Sequence, residues 1–165
     1  MCPHVLWDGK SSVYQMLYSG GGQCEPRAIG YATSKDGIQW TRMAKPVFMA
    51  DPQHVWEQNR VAACQVIEKS GWFVMFYIGF SDMDHASIGI ARSRDGISGW
   101  ERHPANPVIA PVPGKWDGDA CYKPYAVFDG TRWLLWYNGR QGSVEQIGLA
   151  RHDGGDLGFD GHLQC

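Results

Sequence analysis

Between Trp133 and Gly154 the sequence reads WLLWYNGRQGSVEQIGLARHDG, two apolar runs parted by the polar stretch Asn138-Gly139-Arg140-Gln141-Gly142-Ser143-Val144-Glu145. An amide, a guanidinium and a carboxylate this close together supply donors and an acceptor that can be aimed at one polar ligand. The same residues also suit a hairpin loop that faces water, with Arg140 and Glu145 as an exposed cross-loop ion pair of little energetic weight. Upstream, Asp119 and Lys123 are four positions apart, which on an extended strand points both side chains to one side. A lysine near a carboxylate lowers its pKa, whereas an unpaired carboxylate in a dry recess has it raised. Glu57 and Arg60, with Trp116, Tyr122 and Asp117, complete the set of groups able to bond or stack on a ligand.

Composition limits what these groups can serve. The chain has 165 residues, 44% of them hydrophobic and 13% aromatic, enough apolar material for a folded core. Its 15 Lys and Arg residues are scattered and the net charge is -2, so no nucleic-acid or anionic-membrane partner is expected. No apolar run is long enough to span a bilayer and no leader pattern opens the sequence, which places the expectation in the cytoplasm. Cys2, Cys24, Cys64, Cys121 and Cys165 are odd in number and lack a Cys-x-x-Cys spacing, so free thiols are expected, with Cys64 and Cys121 packed as small apolar side chains. The six histidines show no metal-ligand spacing, and neither metal nor cofactor is expected. His85, beside Asp82 and Asp84, reads as part of a solvated loop.

The elements that must position these groups are repeated. Ile29-Gly30-Tyr31-Ala32 returns as Ile88-Gly89-Ile90-Ala91 and as Ile147-Gly148-Leu149-Ala150, a period of 59 residues. Each copy follows an aromatic run ending in glycine: MLYSG, MFYIG and LWYNG. After the first two come SKDGIQW or SRDGISGW, then KPVF or NPVI, then Trp56-Glu57 or Trp116-Asp117. Each unit reads as short strands a to d, punctuated by Gly, Pro and Asp and without helical periodicity. Strand a is PHVLWDG, AACQVIEKSG or KPYAVFDG; strand b is the aromatic run; strand c is the Ile-Gly-x-Ala phrase; strand d is of the IQWTRMAKPVF type. Four antiparallel strands at this period make a β-propeller blade. The expected fold is therefore all-β, with about three blades in an incomplete ring, one domain divided near 2–52, 61–113 and 120–159. Asp36 and Asp95, in the Asp-Gly turns, read as structural. The small residues of strand c are expected to admit close blade-on-blade packing.

In such a meander the b–c loops and d–a connections emerge on one face. That face collects Glu25, Arg27, Asp82, Asp84, His85, Asn138, Arg140, Glu145, Glu57, Asn59, Arg60, Asp117 and Asp119, with Trp56, Trp116 and Tyr122. Charged groups that bond hydroxyls and rings that stack on apolar sugar faces form a carbohydrate-type site.

The phrases IGYATSKDGIQWTR, NPVI, WDGDACYKPYAVFDG and WLLWYNGRQGSVEQIGLARHDGGDLGF resemble the five-bladed β-propeller glycoside hydrolases, the arabinanase, xylosidase, invertase and mannoside-phosphorylase group. The resemblance covers nearly the whole chain and implies carboxylates from different blades around a central funnel. A glycosidase of this kind would use Asp119 and Glu145 as the acid–base pair, with Glu57 or Asp117 as substitutes, and Arg140, Asn138, Lys123, Tyr122, Arg60, Trp116 and Glu57 binding substrate. Five blades need about five times the repeat, so this sequence matches part of such a ring. The alternative is a catalytically silent carbohydrate-binding or assembly module. Three blades leave strand edges and apolar faces open, so a homodimer is expected.

Overall fold

The computed structural model describes residues 2–21 and 26–159, apart from the side chains of residues 63 and 64. Glu25, Cys24 and Cys165, and the packing of Cys64, lie outside what is described. The described residues form twelve strands and no helix. The first blade is β1 (His4–Asp8), β2 (Val13–Gly20) and β3 (Ala28–Ser34), with β4 (Thr41–Arg42) and β5 (Phe48–Met49) on the outer edge of β3. The second is β6 (Arg60–Lys69), β7 (Trp72–Phe80), β8 (Ala86–Ser93) and β9 (Glu101–Arg102). The third is β10 (Ala120–Phe128), β11 (Arg132–Gln141) and β12 (Val144–Asp153). Within each blade the neighbouring strands are antiparallel, and one parallel pair, Ala86 with Ala120, links the second blade to the third.

Local chemistry explains the turns. Asp36 accepts hydrogen bonds from the amides of Ile38 and Gln39, both at 2.8 Å, and Gly37 takes φ 74°. Those amides, Gln39 first, hold the Asp36 carboxyl below the usual carboxylate range. Asp95 repeats the arrangement on Ile97 and Ser98. Both aspartates are turn formers, as their Asp-Gly context implies.

Strand d departs from the expectation. It is reduced to the two-residue pieces β4, β5 and β9 and a bridge between Ile88 and Ile109. Pro46 and Pro107 lack the N–H that a continuous ladder requires. In the second blade a side chain replaces the missing rung: Asn106 accepts from the Ile90 amide and donates to its carbonyl, each at 2.9 Å.

The core lies between blades. Leu17, Ile29 and Tyr31 of the first blade pack on Val61, Val66, Met75 and Tyr77 of the second. Val74, Phe76, Ile88 and Ile90 of the second pack on Cys121, Ala126, Trp133 and Leu135 of the third. Enclosed on both sides, β7 is apolar almost throughout, whereas β10 alternates buried and exposed. At the second joint the buried Gln65 amide donates to the Ala126 carbonyl at 3.0 Å and accepts from its N–H at 2.5 Å. Gln65→Leu leaves both backbone groups unpaired and is expected to cost about 2 kcal/mol, read as a lower denaturant midpoint. An unchanged midpoint would show that water takes over both bonds.

Candidate functional site

A groove of about 380 Å³ opens where the three blades meet, on the face of the b–c loops, with Cys2, Ser19 and Pro26 on the side of the first blade. Ala62, Ile78, Ala86 and Ala120 give it apolar walls; Tyr122, Lys123, Asp84 and Arg140 supply its polar groups. Arg140 Nη2 donates to the Asp84 carbonyl at 2.7 Å, tying the b–c hairpin of the third blade to the b–c loop of the second. Arg60 backs the groove from behind, its guanidinium 4.2 Å from the Phe80 ring centre and 3.3 Å from the Met83 carbonyl oxygen. Phe80 and Met83 line the groove and were passed over in the sequence, where only the charged members of that loop stand out.

The polar stretch after Tyr137 is mostly strand. β11 runs to Gln141 and β12 begins at Val144, leaving a two-residue turn with Gly142 at φ 61°. Arg140 and Glu145 face each other in register, yet Arg140 turns to Asp84 and Glu145 to two other groups. Asn138 Nδ2 lies 3.3 Å from Glu145 Oε2, and the Tyr122 hydroxyl donates to the same carboxylate. The Tyr122 bond first, then that of Asn138, holds Glu145 below the usual carboxylate range. Partial burial and then Glu145 push Tyr122 up to about 12. At neutral pH this is a neutral phenol on an ionised carboxylate.

Asp119 serves the hairpin turn: its oxygens accept from the Gly142 amide at 2.6 Å and from Gln141 Nε2 at 3.3 Å. Lys123 sits in a bulge of β10 at φ 52°, its Nζ 5.2 Å from the Tyr122 ring centre. The bulge interrupts the strand alternation that would align Lys123 with Asp119. Lys123 lines the groove, while Asp119 faces the turn.

Glu57 and Trp116 belong to two enclosed clasps. Trp56 lies on Gly79 and Gly89, and Trp116 on Gly139 and Gly148. Beside them Tyr77 donates to Glu57 at 2.8 Å and Tyr137 to Asp117 at 3.0 Å. Glu57 also takes a 2.5 Å bond from Arg102. The glycines of strand c therefore make room for these rings, while its alanines Ala91 and Ala150 lie at the joints between blades. Cys121 is buried beside Asp117, and burial followed by that carboxylate pushes its thiol up to about 12.

In the b–c loop of the second blade, Asp82 accepts from the amides of Asp84 and His85 at 2.8 Å and from His85 Nδ1. These bonds, the His85 amide first, lower its pKa to about 2. A depressed folded pKa adds stability above the unfolded value and loses it as pH falls. The loop is therefore expected to stay closed at neutral pH and loosen as pH drops from about 4 towards 2, seen as downfield amides of Asp84 and His85 moving together. Amide shifts that change only near pH 4 would refute this. Among the described residues no cluster of three or more metal-ligating side chains occurs.

No family model matches the chain. It is 36% identical over 76 residues to a 1,2-beta-oligomannan phosphorylase of Thermoanaerobacter sp. (strain X514), a stretch covering 45% of this chain and 25% of that protein. It is 31% identical over 160 residues to an uncharacterised protein of Mycobacterium tuberculosis, covering 90% of this chain and 49% of the other. Among solved structures, a family 117 glycoside hydrolase from Zobellia galactanivorans superposes with a TM-score of 0.73 at 17% identity, over 92% of this chain and 51% of that one. An endo-arabinase from Bacteroides thetaiotaomicron gives 0.68 at 20% identity, over 90% and 49%. The chain thus has the fold of these propellers over about half their length.

Proposed function

From the premise of a glycoside-hydrolase propeller fold in an incomplete ring, we propose that this chain is a carbohydrate-active protein that binds glycosides in the groove where its three blades meet. The observation that carries the reading is the Tyr122–Glu145–Asn138 network at the mouth of that groove. It offers an ionised acceptor for hydroxyls, and the Tyr122 ring lines the cavity beside Lys123 and Arg140. Sugar recognition uses this mixture of ring surface and charged hydrogen-bonding groups.

Acid–base cleavage by Asp119 and Glu145 is the second reading, favoured by their place on one hairpin mouth. Hydrolysis needs one carboxyl held protonated beside one that is ionised. Glu145 is displaced towards ionisation, and the oxygens of Asp119 already cap the Gln141–Gly142 turn. Binding is the stronger reading.

The test is calorimetric titration with β-1,2-mannosides, arabinans and fructans, with and without inorganic phosphate, followed by aryl-glycoside turnover. Tyr122→Phe and Glu145→Gln are expected to weaken binding about tenfold, or about 1.4 kcal/mol, with unfolding unchanged. Hydrolysis requires that Asp119→Asn abolish turnover while binding persists. An absence of binding across the panel, or affinities indifferent to both groove variants, would remove the groove as the site.

A further inference from the structure

We infer that Phe80 and Met83 form an apolar subsite of the groove that takes the methyl group of a 6-deoxyhexose, so that the preferred glycoside carries a methyl where a common hexose carries a hydroxymethyl. The inference rests on the groove being the glycoside site.

The groove is divided by chemistry. Its charged groups, Asp84, Lys123 and Arg140, belong to the second and third blades, and the Arg140 bond to the Asp84 carbonyl draws them to the joint between those two. The Tyr122 hydroxyl there is already given to Glu145. The remaining walls are carbon. Ala62, Ile78, Ala86 and Ala120 are each at most 5% exposed, and the last three pack with Phe80 and Tyr122. A sugar hydroxyl turned towards such a wall gives up water and finds no partner, which carries its full desolvation cost. A methyl turned the same way gains by burial.

The wall at Phe80 and Met83 is exposed and yet fixed. Met83 is 59% exposed, and a thioether chain with three rotatable bonds is ordinarily adaptable. Here Arg60, itself buried, holds it at two points: Nη1 lies 3.5 Å from Met83 Sδ, and Nη2 donates to the Met83 carbonyl at 3.3 Å. The same guanidinium lies 4.2 Å from the Phe80 ring centre. Fixing an exposed methionine adds little to folding stability. It does lower the ordering cost of a ligand that packs on it. The chemistry of the wall also selects the substituent. An acetamido group brings an N–H and a carbonyl that both need partners, whereas a methyl needs none, and alanine at three of the walling positions leaves room beside the ring.

The test is calorimetric titration of the whole chain with matched methyl glycosides: α-L-rhamnoside against α-L-mannoside, α-L-fucoside against α-L-galactoside, and 6-deoxy-α-D-mannoside against α-D-mannoside. In at least one pair the 6-deoxy member is expected to bind about tenfold more tightly, the usual discrimination from one apolar group in an apolar pocket. Met83→Gln, close in shape but polar, is expected to bring that ratio to about one. Arg60→Lys, which keeps the charge and loses the planar fork, is expected to lower the ratio as well; thermal unfolding shows whether each variant is folded, and Met83→Gln decides alone where Arg60→Lys is not. Tyr122→Phe is expected to weaken both members alike and keep the ratio. Equal affinities within every pair, a ratio untouched by Met83→Gln, or a preference confined to methyl N-acetyl-β-D-glucosaminide over methyl β-D-glucoside would overturn the methyl subsite, and with Tyr122→Phe still weakening binding would leave the groove as the sugar site. Absence of binding by every glycoside, or affinities indifferent to Tyr122→Phe, would overturn the groove reading and this inference with it.

Discussion

Replacing Glu57 by Ala is expected to lower the unfolding free energy by about 3 kcal/mol. Its side chain is wholly buried and accepts two bonds, from Arg102 Nε at 2.5 Å and from the Tyr77 hydroxyl at 2.8 Å. Arg102 also donates to the Met49 carbonyl at 2.6 Å, so the carboxylate steadies a link between the first and second blades. Without Glu57 the guanidinium loses its counter-ion and a buried phenol loses its acceptor, and unpaired groups of this kind carry their full desolvation cost. Burial and then the Glu57 charge raise the pKa of Tyr77, so the hydroxyl cannot ionise to find another role. Glu57→Gln keeps an acceptor oxygen and is expected to lose about half as much. Urea unfolding of both variants is the measurement, and a loss below about 1 kcal/mol for the alanine variant would mean that the cluster is not structural.

Gly79→Ala and Gly139→Ala are expected to cost about 3 kcal/mol each, at the upper end of overpacking. A Cβ at Gly79 falls 2.6 Å from Glu57 Cβ and collides with the edge of the Trp56 ring; one at Gly139 falls 2.5 Å from Asp117 Cβ and collides with the Trp116 ring. The obstructing atoms are an indole and the root of a side chain, neither of which can swing aside. Gly20 is the control, since its added Cβ meets the Tyr18 ring at 3.4 Å, and Gly20→Ala is expected to cost under about 1 kcal/mol. Thermal unfolding separates the cases, and equal midpoints for Gly20→Ala and Gly79→Ala would refute the clasp.

Much of the fold is legible in one dimension because strand, turn and repeat are short-range properties. Aromatic runs ending in Gly and the Ile-Gly-x-Ala phrases recur at one spacing, and alternation with Asp-Gly turns leaves little choice but antiparallel blades. The breaks in strand d were present as Pro46 and Pro107, but Asn106 filling a ladder position depends on where Ile90 lies in space. Trp56-Glu57 and Trp116-Asp117 were visible as a repeated pair, and their aromatic–acid chemistry read as ligand contact. Only packing shows the rings lying on glycines of two other strands and the acids bonded to tyrosines.

By itself the sequence determined an all-β chain of repeated blades, the structural role of Asp36 and Asp95, and the face on which Tyr122, Asn138, Arg140 and Glu145 gather. Local backbone preference and period are enough for that. The tertiary structure decided which neighbours those side chains choose: Arg140 reaches Asp84 across the blade joint, Glu145 reaches Tyr122, and Asp119 turns to Gly142. Opposed register places two residues within reach of each other. Bonds across blades, by contrast, depend on how apolar faces stack over separations of many tens of residues, and a single β10 bulge at Lys123 is enough to interrupt the alternation counted along the chain.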